Sequence, residues 1–319
     1  MKNNRKSKMS KDILKDSSGE LSSSSPYPIK GTYVAYLQAD DTEDIYPDYE
    51  LIRILGRGHF GTVWEATRKS DEKTVALKVV QIDKRNPTAV QDLVREVSIL
   101  SKVSDPSCKP YLACIYGYKY LPDSGEFLIE MELVEGKRLD LYVKSIHDRS
   151  TLYRHLLLIM KDIVKALQYL HSNGIVHNDV KPDNIIIDKD LTPVLVDFGA
   201  SCDKLSLCKL SKEQSALCCR GVKGPNLYVS PETLKTKGGY FPESDVWSLG
   251  ISFYNAATNE YPYDTSDTVR KLVQAIIKGD IKKLNTSNKT LNNIVNRSLD
   301  RDPTTRITLD EISAILENI

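Results

Sequence analysis

The sequence IVHNDVKPDN occupies residues 175–184, and the tripeptide DFG follows at residues 197–199. Asp179 stands eighteen positions before the aspartate of the second motif. Between the two motifs, the apolar runs at residues 185–187 and 193–196 predict a short pair of strands. The chain therefore places the polar side chains of Asp179, Lys181, Asn184 and Asp197 around one short strand pair.

Upstream of this stretch, Gly56-Arg57-Gly58-His59-Phe60-Gly61 forms a G-x-G-x-x-G element. The same spacing occurs in dinucleotide-binding folds, where the glycines open a helix. Here Thr62–Ala66 continues as a strand-like run, which favours glycines that join two antiparallel strands. Such a flap brings backbone N–H groups close to a phosphate without interference from Cβ atoms. An ordinary glycine hairpin is the alternative.

Lys78 ends the apolar strand-like run Val75-Ala76-Leu77-Lys78. A lysine amine within an apolar strand points into half-buried surroundings, where it needs an anion. Glu96 is the candidate partner, because it lies on a predicted helix whose apolar residues recur at helical spacing. The alternative is that Glu96 is a solvated helix carboxylate.

With these motifs in order, the chain from Tyr49 to about Asn318 resembles the eukaryotic protein kinase family. The resemblance rests on the glycine loop, V-A-x-K, the helix glutamate, H-x-D-x-K-x-x-N, D-F-G and Pro231-Glu232. It implies an α+β, bilobal protein kinase-like fold over residues 49–318. The small antiparallel N-lobe (about 49–134) carries one key helix, and the larger C-lobe (about 135–318) is mainly helical. The implied activity is that of a serine/threonine protein kinase, a phosphotransferase.

The resemblance also implies a catalytic role for each of four residues. Asp179 aligns the acceptor hydroxyl and accepts its proton. Lys181 stabilises the charge of the phosphoryl group in transit. Lys78, paired with Glu96, grips the α- and β-phosphates of ATP.

ATP as substrate and Mg²⁺ (or Mn²⁺) as cofactor follow from the same resemblance. Asn184 and Asp197 are the implied metal ligands. The implied ATP-binding residues come from the glycine loop, the apolar walls of the adenine pocket and the hinge, with Met131 as gatekeeper. They are Leu55, Gly56, Arg57, Gly58, His59, Phe60, Gly61, Val63, Ala76, Lys78, Met131, Glu132, Val134 and Ile186.

Three positions depart from the family pattern. Asn178 stands where relatives that need a phosphorylated activation loop carry arginine, and an amide cannot neutralise a phosphate. We therefore predict activity that does not depend on a loop phosphate read at this position. Pro225 replaces a threonine typical of serine/threonine kinases, and Arg138 replaces an acidic residue of many relatives. A pseudokinase scaffold with weak or no turnover, and phosphorylation of a small molecule, remain the alternatives.

The same resemblance implies structural roles for further positions. Asp245 is expected to brace the backbone of the catalytic loop, and Arg306 is expected to pair with Glu232. A stacked apolar spine is expected from Leu100, Ile115, His177 and Phe198.

Composition limits the partners of the protein. With 44 basic and 43 acidic side chains, the net charge of +1 gives no general attraction to nucleic acid or to a membrane. We expect protein substrates as partners, no nucleic acid, no membrane, a monomer and a cytoplasmic location. Six cysteines in a large, ordinary chain predict reduced thiols. A zinc site or a redox switch among the cysteines of residues 202–219 is the alternative.

Residues 1–48 are basic and serine-rich at first and acidic at their end. This composition offers too little apolar surface to offset the entropy of ordering, so we predict a disordered tail. The basic run is an alternative candidate for a partner-binding or nuclear-import signal, which would permit nuclear entry.

Residue patterns place the remaining elements. Runs rich in β-branched and aromatic residues predict strands at residues 51–55, 62–67, 74–80, 113–118 and 127–133. Apolar spacing predicts a helix that begins at Asn86-Pro87 and a long helix that ends at Asn173-Gly174. Further helices are predicted at residues 246–257, 268–278, 291–299 and 309–317.

Overall fold

The computed structural model describes residues 46–58, 61–82, 89–204, 227–236, 241–265 and 268–317. These residues form two compact units. The first takes in the chain up to Cys108 together with Cys114–Leu133. The second takes in Lys109–Ala113 together with the chain from Val134 onward. The first is rich in antiparallel strands and the second is mainly helical, so the α+β class predicted from the sequence is confirmed.

The first unit is built on a five-stranded antiparallel sheet in the order β1-β2-β3-β5-β4. Its elements are β1 (Tyr49–Gly58), β2 (Gly61–Arg68), β3 (Lys73–Gln81), α1 (Ala89–Ser104), β4 (Ile115–Leu121) and β5 (Glu126–Glu132). The predicted strands are confirmed, with ends that differ by one to three residues. The predicted helix start at Asn86-Pro87 lies outside the described residues.

One face of this sheet forms an apolar core. Val75, Leu77 and Val79 of β3 are buried there against Ala66 and Leu128. Because successive side chains of a strand point to opposite faces, Ala76 and Lys78 lie on the other face. The alternation in β3 therefore separates the core of the unit from its candidate chemistry.

Residues 46–48, which the sequence analysis assigns to the tail, bind the sheet. The Tyr46 hydroxyl donates to Oε1 of Glu126 at 3.1 Å. Burial and the neighbouring Glu126 carboxylate raise the pKa of Tyr46 to about 12. Asp48 pairs with Lys119 at 2.8 Å. This hydrogen bond and this ion pair fix the end of the segment on the sheet, although the segment is poor in apolar residues.

The second unit contains two small sheets and most of the helices. The sheets have the orders β6-β8-β9 and β7-β10. The elements are β6 (Lys137–Arg138), α2 (Leu139–Lys144), α3 (Arg149–Ser172), β7 (Ile175–Val176), β8 (Ile185–Ile187), β9 (Pro193–Leu195), β10 (Cys202–Asp203), α4 (Pro231–Thr236), α5 (Pro242–Thr258), α6 (Val269–Lys278), α7 (Lys289–Ser298) and α8 (Leu309–Glu317). The predicted strand pair and helices are confirmed, whereas β6, β7, β10, α2 and α4 were too short to show a pattern.

Helices α3 and α5 form the centre of the second unit. The Asp148 side chain caps the start of α3 by accepting from the Thr151 N–H at 2.7 Å. The helix ends at Asn173 and Gly174 as predicted, and Gly174 takes the left-handed conformation with φ +72°. Trp247 and Phe253 of α5 are fully buried. None of the helices in the described part of the chain is long and apolar enough for a membrane crossing.

The prediction of reduced thiols is wrong for three cysteines. Cys108 and Cys114 form a disulfide, and Cys202 is also disulfide-bonded. The chain reverses between α1 and β4, which brings the Cα atoms of Cys108 and Cys114 to 5.3 Å, a separation that a disulfide spans. Composition alone does not report such a reversal. The cysteines at positions 208, 218 and 219 lie outside the described residues.

Candidate active site

Lys78 and Glu96 form a buried ion pair in the first unit. The Lys78 Nζ atom lies 2.5 Å from Oε1 of Glu96. Their side chains are only 6% and 4% exposed, so neither charge is solvated by bulk water. A buried charge is tolerated only when it is paired. The predicted pairing is thus confirmed, and the solvated alternative for Glu96 is excluded.

The register of the sheet brings four predicted ATP-binding residues to one face. Val63 of β2 lies opposite Lys78, and Ala76 lies opposite Met131 of β5. Directly paired residues share a face, as do residues two apart in a strand. Val63, Ala76, Lys78 and Met131 therefore line the face away from the apolar core. Glu132, also predicted, is the last residue of β5.

The glycine loop spans the end of β1 and the start of β2. Leu55 is 40% exposed, and Gly56, Arg57 and Gly58 follow it in β1. A Cβ atom at Gly61 would lie 2.3 Å from the Val79 carbonyl oxygen, so the strand pairing itself requires glycine there. At Gly56, by contrast, a Cβ atom would meet open space. Packing within the described residues gives no reason for that glycine. His59 and Phe60 lie outside the described residues.

In the second unit, Asp179 is the centre of a hydrogen-bonded loop. Its Oδ2 atom accepts from Nζ of Lys181 at 2.6 Å and from Nδ2 of Asn184 at 2.9 Å. Nδ2 of Asn184 also donates to the Asp179 carbonyl at 2.9 Å. Pro182 begins a single 3-10 turn that ends at Asn184 and returns its side chain to the loop. The Asp179 side chain is 13% exposed. Both of these donors, Lys181 and Asn184, bind Oδ2, so among the described residues Oδ1 remains able to accept a further hydrogen bond.

Asp245 of α5 holds the backbone at the start of this loop. It accepts the His177 and Asn178 N–H groups, each at 2.8 Å. Its Oδ2 atom also lies 2.9 Å from Nε2 of His171. Asp245 is fully buried, which makes these bonds strong and their loss costly. The predicted brace is confirmed, and His171 is a third member that the sequence analysis missed.

The segment that contains Asp197 is tied to the same loop. The Val196 N–H donates to the Asn184 carbonyl at 2.9 Å, so Asp197 follows a residue bonded to the other predicted metal ligand. Asp197 has a positive φ of 65°, a conformation that aspartate adopts more readily than most residues. The ring of buried Phe198 lies edge-on to His177 with centroids 5.0 Å apart. Two members of the predicted spine thus contact each other.

His177 is neutral at pH 7. It is completely buried, and this burial lowers the pKa of its imidazole, although Asp245 and Asp179 act in the opposite direction. The Asp179 N–H points to Nδ1 of His177 at 3.3 Å, which assigns the ring proton to Nε2. His177 therefore supports the loop as an uncharged, buried side chain.

Asn178 connects the loop around Asp179 to the segment that follows Gly199. Its φ of +63° is left-handed, which asparagine tolerates. Its Nδ2 atom donates to the Ala200 carbonyl at 3.3 Å. Next to it, the Ser201 hydroxyl donates to the His177 carbonyl at 3.1 Å. Both contacts are uncharged. They lie at position 178, where relatives that need a phosphorylated activation loop carry arginine.

Val134 and Ile186 belong to the second unit. Ile186 lies in β8, opposite Arg138 of β6. The Arg138 guanidinium binds the Asp140 carboxylate and lies 3.3 Å from Oδ1 of Asp183. The sequence analysis missed this cluster, although the opposite charges two residues apart at positions 138 and 140 were a signal.

Comparison with known proteins identifies the family. The family model of the protein kinase domain matches residues 49–315. The chain belongs to the protein kinase family. The pair of Arg306 with Glu232 at 2.7 Å, both buried, is confirmed in the kinase domain as predicted.

Individual relatives are serine/threonine kinases of greater length. The chain is 28% identical over 261 residues to "Serine/threonine-protein kinase TIO" of Arabidopsis thaliana, covering 82% of this chain and 18% of that one. It is 29% identical over 280 residues to "Serine/threonine-protein kinase PLK4" of Danio rerio, covering 86% and 27%. It is 28% identical over 265 residues to "CBL-interacting serine/threonine-protein kinase 20" of Arabidopsis thaliana, covering 83% and 57%. The chain thus spans less than two thirds of the length of these relatives.

Proposed function

We propose that this kinase domain transfers the γ-phosphate of ATP, with Mg²⁺, to serine or threonine hydroxyls of protein substrates. The observation that carries the proposal is the loop around Asp179, in which Lys181 and Asn184 both donate to Oδ2. These two donors fix the carboxylate and leave Oδ1 to accept a proton from an incoming hydroxyl.

The other residues of the loop fit the electrostatic needs of phosphoryl transfer. This reaction depends mainly on positioning and on the neutralisation of phosphate charge. Lys181 is 28% exposed, so its amine can serve both Asp179 and a transferred phosphoryl group. The direct contact of 2.6 Å between Lys181 and Asp179 needs no bridging hydroxyl from position 225, where relatives carry threonine. Pro225 itself lies outside the described residues.

The oxygen donors suit a hard divalent cation. The side-chain nitrogen of Asn184 donates to the carbonyl and to Oδ2 of Asp179, which leaves the side-chain oxygen available as a ligand among the described residues. The Asp197 carboxylate supplies the second donor. Mg²⁺ binds oxygen ligands and commonly takes one or two protein groups plus substrate phosphates. Asn184 and Asp197 would hold the ion, which neutralises phosphate charge when bound.

The first unit has the features expected for binding a triphosphate. Glu96 pairs with the Lys78 amine at 2.5 Å and holds it in one orientation. Among the described residues, packing does not require Gly56 to be glycine, and a backbone without Cβ at this point permits close approach of a phosphate. Val63, Ala76 and Met131 share the face of Lys78 and offer apolar surface to an adenine ring.

We propose further that activity does not require a phosphorylated activation segment. The support is the uncharged link from Asn178 to Ala200, which needs no anion to form. Phosphatase treatment of the purified protein is expected to leave kcat within about twofold, since no charge-assisted contact at this position is lost. A loss of tenfold or more would contradict this part of the proposal.

Phosphotransfer with γ-labelled ATP tests the main proposal. Wild-type protein is expected to label a mixed protein acceptor on serine or threonine, as read by phosphoamino-acid analysis. Asp197→Ala should abolish labelling, whereas Asp190→Ala, which removes an exposed carboxylate from the turn before β9, should not. ATP binding without transfer would support the pseudokinase alternative. Transfer to a small molecule alone would support the other one.

A further inference from the structure

Arg138 is the centre of a charged cluster at the surface of the second unit. Its Nε and one terminal nitrogen donate to the two oxygens of Asp140, each at 2.9 Å. Its other terminal nitrogen lies 3.3 Å from Oδ1 of Asp183. The hydrogen bond to Asp140 is the main cause that raises the pKa of Arg138, with Asp183 contributing less. One guanidinium thus occupies two carboxylates.

This cluster adjoins the loop that carries the proton acceptor. Asp183 lies between Pro182 and Asn184 in the 3-10 turn, and Asn184 bonds directly to Asp179. Arg138 lies opposite Ile186 in the β6–β8 pairing, which continues from the same turn. The side chains of Arg138 and Asp183 are each 46% exposed, so the cluster faces solvent beside the loop.

A substrate segment must pass near this surface if the function proposed above holds. Its acceptor hydroxyl has to reach Asp179, and neighbouring residues extend about 3.3 Å each from that point. Asp183 stands four positions after Asp179, and the folded turn keeps it nearby. The two carboxylates already bind the guanidinium of Arg138. Their arrangement therefore suits a planar cation with several N–H donors.

We propose that Arg138 is a specificity-determining residue: it occupies Asp140 and Asp183, so that the enzyme does not recruit substrates through arginine or lysine side chains. The inference rests on the proposed function. An arginine of the substrate would compete with one that is already tethered beside the carboxylates at high effective concentration. The enzyme is therefore expected to accept substrates with little regard to basic residues next to the acceptor.

The test compares peptides with and without arginine near the acceptor. Serine peptides are made with arginine or alanine at each position from three before to three after the acceptor. The ratio of kcat/KM for arginine over alanine peptides is expected to be near one for wild type. In Arg138→Ala the best position is expected to rise by about fivefold, which is the effect of one partly exposed ion pair.

Three variants separate this effect from general changes. Lys137→Ala removes the same charge from the adjacent residue of β6 and should leave the ratio unchanged. Arg138→Lys keeps the charge without the bidentate fork and should give an intermediate rise. Adding Asp183→Asn to Arg138→Ala should return the ratio towards one, because a carboxylate is removed.

Several outcomes would overturn the inference. An unchanged ratio in Arg138→Ala, with the alanine peptide still phosphorylated, contradicts it while leaving the proposed function intact. An equal rise in Lys137→Ala assigns the effect to net charge. A change confined to KM for ATP makes Arg138 a nucleotide contact instead. If wild type phosphorylates no peptide and no protein, the proposed function fails and the inference fails with it.

Discussion

The ion pairs Lys78–Glu96 and Arg138–Asp183 each join a basic strand residue to a carboxylate, but their surroundings differ. Lys78 and Glu96 are 6% and 4% exposed and lie 2.5 Å apart. Arg138 and Asp183 are each 46% exposed and lie 3.3 Å apart. The first pair belongs to the sheet unit and the second to the helical unit.

Burial decides what each pair can contribute. Removal of one partner from a buried pair leaves an uncompensated charge in a medium of low dielectric constant. An exposed pair is weakened by water and salt, and its loss costs little stability. The buried pair therefore holds the Lys78 amine in one position. The exposed pair can exchange partners, as the proposed role of Arg138 in substrate choice requires.

Arg306 and Glu232 form a second buried ion pair. Breaking it is expected to cause the largest loss of stability. Arg306→Met leaves the Glu232 carboxylate buried without its partner. We expect the free energy of unfolding to fall by about 3–5 kcal/mol, measured by urea denaturation. Arg306→Met combined with Glu232→Leu should recover part of the loss. A fall of less than 1 kcal/mol for the single variant would show that burial does not govern these pairs.

Lys78→Met tests the buried pair of the sheet unit through activity. We expect kcat/KM for ATP to fall by about 10²- to 10³-fold, because an oriented cation for the phosphates is lost. Lys119→Met is the control, since it removes another buried lysine of the same sheet, paired with Asp48. An equal fall in both variants would assign the effect to the fold rather than to the phosphates.

Substitution of Asn178 is expected to cost less stability, and two variants separate the effect of the backbone conformation from that of the side-chain contacts. Asn178→Ala should lower the free energy of unfolding by about 1–2 kcal/mol, because alanine is strained at φ +63°. Asn178→Gly removes the strain and deletes the side-chain contacts with the Ala200 carbonyl and the Ser244 hydroxyl. Thermal unfolding of the two variants distinguishes the causes, and equal losses would show that the side-chain contacts dominate.

The smallest effect is expected for the stability of the exposed pair. Arg138→Ala should change the free energy of unfolding by less than about 1 kcal/mol, and added salt should reduce the difference. Denaturation at low and high salt measures this directly. A loss comparable to that of Arg306→Met would contradict the division between buried and exposed pairs.

Much of this arrangement is predictable where the sequence carries a repeated or ordered pattern. The alternation in β3 places Lys78 opposite the apolar core, and the apolar spacing of α1 makes Glu96 a candidate partner for it. The long α3 shows its period and its end at Gly174. These features depend on local pattern, which a single sequence contains.

Contacts between distant short segments are not predictable in the same way. His171 reaches Asp245 across 74 positions, and no local spacing indicates that bond. The disulfide of Cys108 and Cys114 depends on a chain reversal rather than on composition. Strands of two residues, such as β6, are too short to show alternation. Their positions follow from tertiary packing.

The central claim is that Asp179 accepts the proton of a substrate hydroxyl within a loop fixed by Lys181 and Asn184. Rapid-quench measurement of label transfer from γ-labelled ATP, at saturating ATP and acceptor, tests it most directly. Asp179→Asn is expected to lower the transfer rate by about 10²- to 10⁴-fold while ATP affinity stays unchanged. A rate within a few-fold of wild type would contradict the account.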